Sequence, residues 1–267
     1  MSMKSGVEKV DIAAVIGTIL GILAVMGAMV AKGASLSVLL NPAALLIIFV
    51  GTIAAILNAF PLKEVKRVPA FFKIIFTERK VYDIKEIIDL IVDIASQARR
   101  EGLLSLEQRI EEIADPFVRK GLQLIVDGQD EEFVKEYLQM DIINMEDRHH
   151  TGALIFTQAG TYAPTLGVLG AVIGLIGALG HMDDIAILGQ AIAAAFVATL
   201  YGIFTGYVLW HPFANKLRRK SQEEVFIKTM ALEGILSIQR GNSPVVIREK
   251  MLIFLPPDLR EAAEGMN

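Results

Sequence analysis

Few residues of this chain could take part in chemistry, and most of those lie in or beside long apolar runs. Thr199 sits well inside the run Ile187 to Trp210, on one helical face with Ala191, Ala195 and Gly202. Small residues of this kind mark where another helix docks, so a hydroxyl there could face an acid carried by a partner. Pro164 and Pro212 stand near the ends of the two apolar runs. A membrane helix tolerates proline as a kink, and a kink is also a hinge; both readings stay open. Asp183 and Asp184, in the link His181-Met182-Asp183-Asp184, could gather cations at a pore mouth or solvate a turn. Arg99, Arg100, Glu101, Glu107, Arg109, Glu111 and Glu112 form a mixed run that solvates a helix surface unless another protein meets it. Glu146, His149 and His150 have partial metal-ligand spacing, but consecutive histidines point to different faces, and a solvated helix end explains them.

The most informative feature is negative. Between Ile12 and Ala31, Ala43 and Phe60, Tyr162 and Gly180, and Ile187 and Trp210 there is no Asp, Glu, Lys, Arg or His. Intramembrane ionisable groups mark proton and ion pathways. A chain without them is either an anchor or one part of a machine whose titratable group comes from a partner. Cysteine is absent, which removes disulfides, thiolate catalysis and cysteine-based zinc sites. No phosphate loop, GxSxG or HExxH is present, so no enzyme, catalytic residue, cofactor site or metal site is expected. A formal charge of -4 leaves no global basic footprint for nucleic acid.

The elements that must position these residues are membrane helices. The chain has 267 residues, 53% of them hydrophobic, with a mean hydropathy of +0.49. Its 21% of charged residues must therefore be segregated. A run of about 20 apolar residues crosses a bilayer, which predicts an all-α membrane protein with four spans, near 11–31, 43–60, 160–180 and 187–210. The first run is longer than a signal-peptide core, so a retained span is expected. Gly17 and Gly21, four apart, offer it a close-packing face. Pro42 suits a helix start and Pro61 ends the second span. The third and fourth spans form a hairpin rich in small residues: Gly167, Gly170, Gly174, Gly177 and Gly180, then Ala191, Ala194, Ala195, Ala198, Gly202 and Gly206. That hairpin is built to pack against other helices.

The remainder divides into a helical loop domain, 62–155, and a tail helix within 213–267. Asp83 with Glu86 suits a capping box, and Ile84, Ile87, Ile88, Ile91, Ile94, Ala95 and Ala98 follow at helical spacing. Gly102 interrupts, Asp115-Pro116 opens a helix that stops at Gly128, and a further pattern runs from Glu131 toward the third span. Lys63, Lys66, Arg67, Lys73, Arg79 and Lys80 follow the second span, and Lys216, Arg218, Arg219 and Lys220 the fourth. By the positive-inside rule both termini and the loop are expected in the cytoplasm.

Three strings, FTQAGTYAPTLGVLGAVIGLIGAL from Phe156, FVATLYGIFTGYVLWHPFANKL from Phe196 and SQARREGLLSLE from Ser96, together resemble the MotA family of flagellar stator proteins. The resemblance spans nearly the whole chain. It implies a proton-driven torque generator of the bacterial inner membrane, in which a homopentamer surrounds the transmembrane helices of a MotB dimer that carries an essential aspartate. It further implies that Arg99 and Glu107 act on charges of the rotor protein FliG. On the same basis Pro164 and Pro212 couple ion passage to movement, and Thr199 is the channel-facing threonine. Sodium-driven relatives carry a threonine in the third span where this chain has Ala171. A desolvated sodium ion needs several oxygen ligands, so Ala171 favours H+ as the transported ion.

Two other readings remain. An ExbB or TolQ-like energiser would have three spans with its N-terminus outside, so counting spans separates it. A structural membrane scaffold without ion flux would lack a carboxylate equally well.

Overall fold

The computed structural model describes residues 9–78, 84–180, 182–257 and 260. The capping residue Asp83 and the basic residues Lys4, Arg79 and Lys80 lie outside them, as does His181 of the link. The described chain is helical apart from one antiparallel pairing of Lys9–Val10 with Thr77–Glu78, in register Lys9 to Glu78. The chain forms two compact units.

The first unit, Glu8–Glu78 with His149–Arg219, holds the apolar runs. Among the described residues, four helices are long and apolar enough to cross a membrane: Ile12–Ala31, Pro42–Ala59, Glu131–Leu179 and Ile185–Gln239. Three of these starts have a local cause. The Asp11 carboxylate accepts the Ala14 N–H at 3.0 Å, and the Asn41 side chain accepts the Ala44 N–H at 3.0 Å with Pro42 at the first helical position. Asp184 accepts from the Ala186 and Ile187 N–H groups at 2.9 and 3.1 Å. No residue of Ile12–Ala31 is buried, which suits a helix whose apolar side chains meet lipid. An aromatic cluster of Phe72, Phe156, Trp210 and Phe213 closes one end of this unit, with Phe72 and Phe156 edge to face at 5.2 Å.

Two features go beyond the expected plain spans. The second span contains a π turn at Leu46–Val50 and the fourth another at Thr205–Trp210. In the fourth, the His211 N–H reaches the Gly206 carbonyl five residues back. Pro212 has no N–H to return to Val208, so the ladder is already interrupted at the next position. The expected separate tail helix is instead continuous with the fourth span through this turn, and Pro164 lies within Glu131–Leu179 without ending it.

The second unit comprises Arg79–Arg148 and Lys220–Asn267, with Met1–Val7. The Ile84–Glu101 helix buries Ile87, Ile88, Ile91, Ile94 and Ala95, the face set by their spacing. They share a core with Leu122, Leu138, Met230, Ile235 and Ile247. Pro116–Val126 begins on Asp115, whose carboxylate accepts the Val118 N–H at 2.8 Å. Gly128 and Gly102 adopt φ +78 and +84, the region glycine enters without strain. The helix Pro244–Leu252 follows, and its Arg248 pairs with Asp89 at 2.7 Å.

Candidate functional site

The helix hairpin of the first unit is closed by backbone contact. A methyl placed on Gly202 would lie 2.5 Å from the Ala163 carbonyl and 2.9 Å from Gly167 Cα. One on Gly167 would lie 3.0 Å from the Ala198 carbonyl, and one on Gly174 3.1 Å from Ala195 Cα. The sequence led us to expect these small residues to receive other helices. Within the chain the third span fills the Ala195 and Gly202 face, because only paired small residues let two backbones approach this closely, and a methyl on Gly170 would also meet Ile47 of the second span at 3.6 Å. A methyl on Gly17 would meet nothing within 4 Å, whereas one on Gly21 would meet Val208 at 2.5 Å, so only half of the expected close face on the first span is used within the chain.

Thr199 sits on this seam, half-buried. Its hydroxyl donates to the Gly167 carbonyl at 3.3 Å and the Ala195 carbonyl at 3.4 Å, a proton shared between the facing helix and its own. The oxygen's lone pairs are left as acceptors. Ala171, half-buried, follows Gly170, whose face meets the Ala198 methyl. No Asp, Glu, Lys, Arg or His interrupts 156–180 or 185–210.

Pro164 is half-buried and its ring rests over Gly206, where a methyl would lie 2.8 Å from Pro164 Cγ. One turn away the His211 ring covers Gly160, at 2.8 Å from where a methyl would stand. The first proline therefore touches the π turn that precedes the exposed Pro212. Thr161 and Thr165 bond back to Thr157 and Thr161 carbonyls at 3.1 and 3.3 Å, and Thr157 accepts from Arg218 at 2.7 Å.

Four contacts go beyond the sequence reading. Asp11 is 3% exposed, and Lys216 donates to its carboxylate at 2.7 Å while the Asp11 N–H donates to the Phe76 carbonyl at 2.8 Å. An acid just before an apolar run is a helix-start signal and could have been read so. The Tyr201 hydroxyl donates to the Leu39 carbonyl, and His211 packs on Gly160; neither leaves a pattern in sequence.

In the second unit Arg99 stands in the last turn of the Ile84–Glu101 helix and Glu107 begins Glu107–Glu112, so the two stand on opposite limbs of a helical hairpin, both exposed. Arg109 pairs with Asp93, which separates it from the outward-facing charges Arg100, Glu101, Glu111 and Glu112. Elsewhere in that unit Arg240 donates to Glu131 at 2.9 Å through Nε, and this bond holds the Glu131 carboxyl below the usual glutamate range.

Residues 109–230 match the MotA/TolQ/ExbB proton channel family, and residues 15–102 match the motility protein A N-terminal family. Motility protein A of Bacillus subtilis is 56% identical over 261 residues, 96% of this chain and 97% of that one. The chain belongs to the motility protein A family. Motility protein A of Borreliella burgdorferi is 34% identical over 92% of this chain and 95% of its own. The structure of the flagellar MotAB stator complex from Bacillus subtilis matches with a TM-score of 0.89 at 56% identity, covering 94% of this chain and 98% of that chain. The C. jejuni MotAB structure matches with a TM-score of 0.88 at 28% identity, over 93% and 97%. The all-α architecture with four membrane-spanning helices is thus that of motility protein A.

Proposed function

We propose that this chain is the ring-forming subunit of a flagellar stator: it assembles with a MotB-like partner in the bacterial inner membrane, and proton flux through the complex turns the ring against the rotor. One observation carries the reading. A chain 56% identical to a motility protein A over nearly its full length builds a tightly closed hairpin whose two spans hold no Asp, Glu, Lys, Arg or His. The titrating acid must then come from the partner. The count of four spans also favours a stator over a three-span energiser.

The membrane-facing segments are 1–61 and 156–212, and 62–155 with 213–267 lie in the cytoplasm together with both termini. Lys63, Lys66, Arg67 and Lys73 after the second span, and Lys216, Arg218, Arg219 and Lys220 after the fourth, support this orientation.

Thr199 reads the partner's protonation state. Its single proton is committed to backbone carbonyls, so toward a guest it acts only as an acceptor. A protonated carboxylic acid offers a donor to it; a carboxylate does not. Protonation therefore both removes a buried charge and creates a hydrogen bond, a change worth kilocalories where a guest helix shields the pair from water. The preferred packing of the guest shifts, the ring advances by one subunit, and Pro164 against Gly206 passes the displacement to the π turn before Pro212. Ala171 supplies no oxygen ligand for a metal cation, which supports H+ as the ion. Arg99 and Glu107 deliver the motion to the rotor protein.

The test is Thr199→Val, co-expressed with the partner. Proton flux and swimming fall while membrane abundance is unchanged; unaltered flux and swimming would remove Thr199 from the pathway.

A further inference from the structure

Between the two limbs that carry Arg99 and Glu107 runs Gly102-Leu103-Leu104-Ser105-Leu106. Leu106 is fully buried and Leu103 packs on the core. Leu104 is 71% exposed, more than any other large apolar side chain described in its unit. The cause is geometric. Leu103–Leu106 is a 3-10 turn, which places residues three apart on one face, so inward Leu103 and Leu106 force Leu104 outward.

The turn is also held. Gly102 at φ +84 sets its direction, and the Ser105 hydroxyl donates to the Gly102 carbonyl at 2.7 Å. Gln97 Nε2 donates to the Ser105 carbonyl at 3.2 Å, and the Arg109–Asp93 pair joins the limbs. Leu104 therefore cannot fold back onto the core without unmaking the turn. A single exposed leucine is commonplace on protein surfaces. This one differs by being fixed at an apex, with exposed Arg99 and Arg100 on the preceding limb and exposed Glu107 and Glu111 on the following one.

We propose that Leu104 is the apolar anchor of the rotor-facing surface. Its partner is a rotor protein segment with an apolar recess, flanked by an acidic group on the Arg99 side and a basic group on the Glu107 side. Charges at the rim of such a contact govern approach and register and are screened by salt, whereas a buried apolar anchor governs how long the contact lasts. A preset turn lowers the ordering cost of seating it. The inference deepens the rotor role given above for Arg99 and Glu107 and rests on it.

The test uses the assembled stator complex in nanodiscs with the purified rotor protein, comparing the unmodified chain, L104S, L104M and R99E across salt concentrations. L104S weakens binding about tenfold with an unchanged salt dependence, L104M retains binding, and R99E lowers the salt dependence. Proton flux in cells and membrane abundance stay at the unmodified level in L104S, because an exposed side chain supports neither. Binding of L104S equal to the unmodified complex overturns the proposal while leaving the rotor surface intact. Loss of abundance or flux in L104S also overturns it, since Leu104 would then act inside the stator. If the unmodified complex binds no rotor protein, or R99E binds as it does, the rotor role of this hairpin fails first and the anchor with it.

Discussion

Gly202→Ala tests whether the hairpin seam is as tight as its geometry implies. The added methyl would sit 2.5 Å from the Ala163 carbonyl and 2.9 Å from Gly167 Cα, and both are backbone atoms that cannot rotate away. Carbon contacts are comfortable near ~3.5 Å, so the two helices must part locally by about 1 Å. Overpacking of this kind costs about 1–3 kcal/mol. The parting also breaks the 3.3 Å bond from Thr199 to Gly167, worth roughly 0.6 kcal/mol between membrane helices. A total of about 2–3 kcal/mol would lower the Tm by roughly 5–10 °C in a chain of this size. The controls are Gly17→Ala and Gly189→Ala, since a methyl at either position meets nothing within 4 Å. Thermal melting of the purified complex is the assay, with proton flux in cells beside it. A G202A complex that melts and conducts like the unmodified one, or a G17A complex that suffers equally, would refute the reasoning that backbone contact closes the seam.

Other perturbations address other parts of the molecule. Lys216→Met leaves the buried Asp11 carboxylate without its lysine and should cost about 1–3 kcal/mol, since the lysine is partly exposed and the Ala14 N–H bond persists; adding Asp11→Asn should restore part of the lost melting temperature, and no restoration would mean the pair is not what holds this corner. Glu131 has its pKa lowered, first by the Arg240 hydrogen bond, so its contribution is present above the ordinary glutamate range and is lost as pH falls through the depressed value. Glu131→Gln should therefore shrink the difference in unfolding midpoint between pH 7 and acid conditions, and an unchanged difference would count against the pairing. Arg99→Glu and Glu107→Lys should each impair torque, read from tethered-cell rotation, while assembly with the partner and membrane insertion persist.

Much of the helical framework is legible in the sequence because its causes are local. Asn41-Pro42 and Asp115-Pro116 announce helix starts that the structure has at Pro42 and Pro116. The spacing from Ile84 to Ala98 names the buried face of its helix. The pattern from Glu131 likewise runs on into the third span as one helix of 49 residues. What stays hidden is pairing. Composition shows that Ala195 and Gly202 form a small face but not that Gly167 and Gly174 fill it, since both kinships satisfy the same packing rule. The direction of the Thr199 proton depends on a carbonyl 32 residues away. The π turns are invisible for a related reason: Leu46–Val50 and Thr205–Trp210 have ordinary helical composition, and only the pattern of carbonyl partners sets them apart. The pairing of Lys9–Val10 with Thr77–Glu78 is too short to leave any alternation.

The bond between Lys216 and Asp11 joins residues 205 positions apart. During synthesis the aspartate is made at the start of the first span, and its lysine is added only after all four spans have been made. Until then that carboxylate is held outside the finished structure. The helix of the fourth span thus fastens the helix of the first, and a chain cut short of residue 216 has the aspartate but not the lysine that meets it.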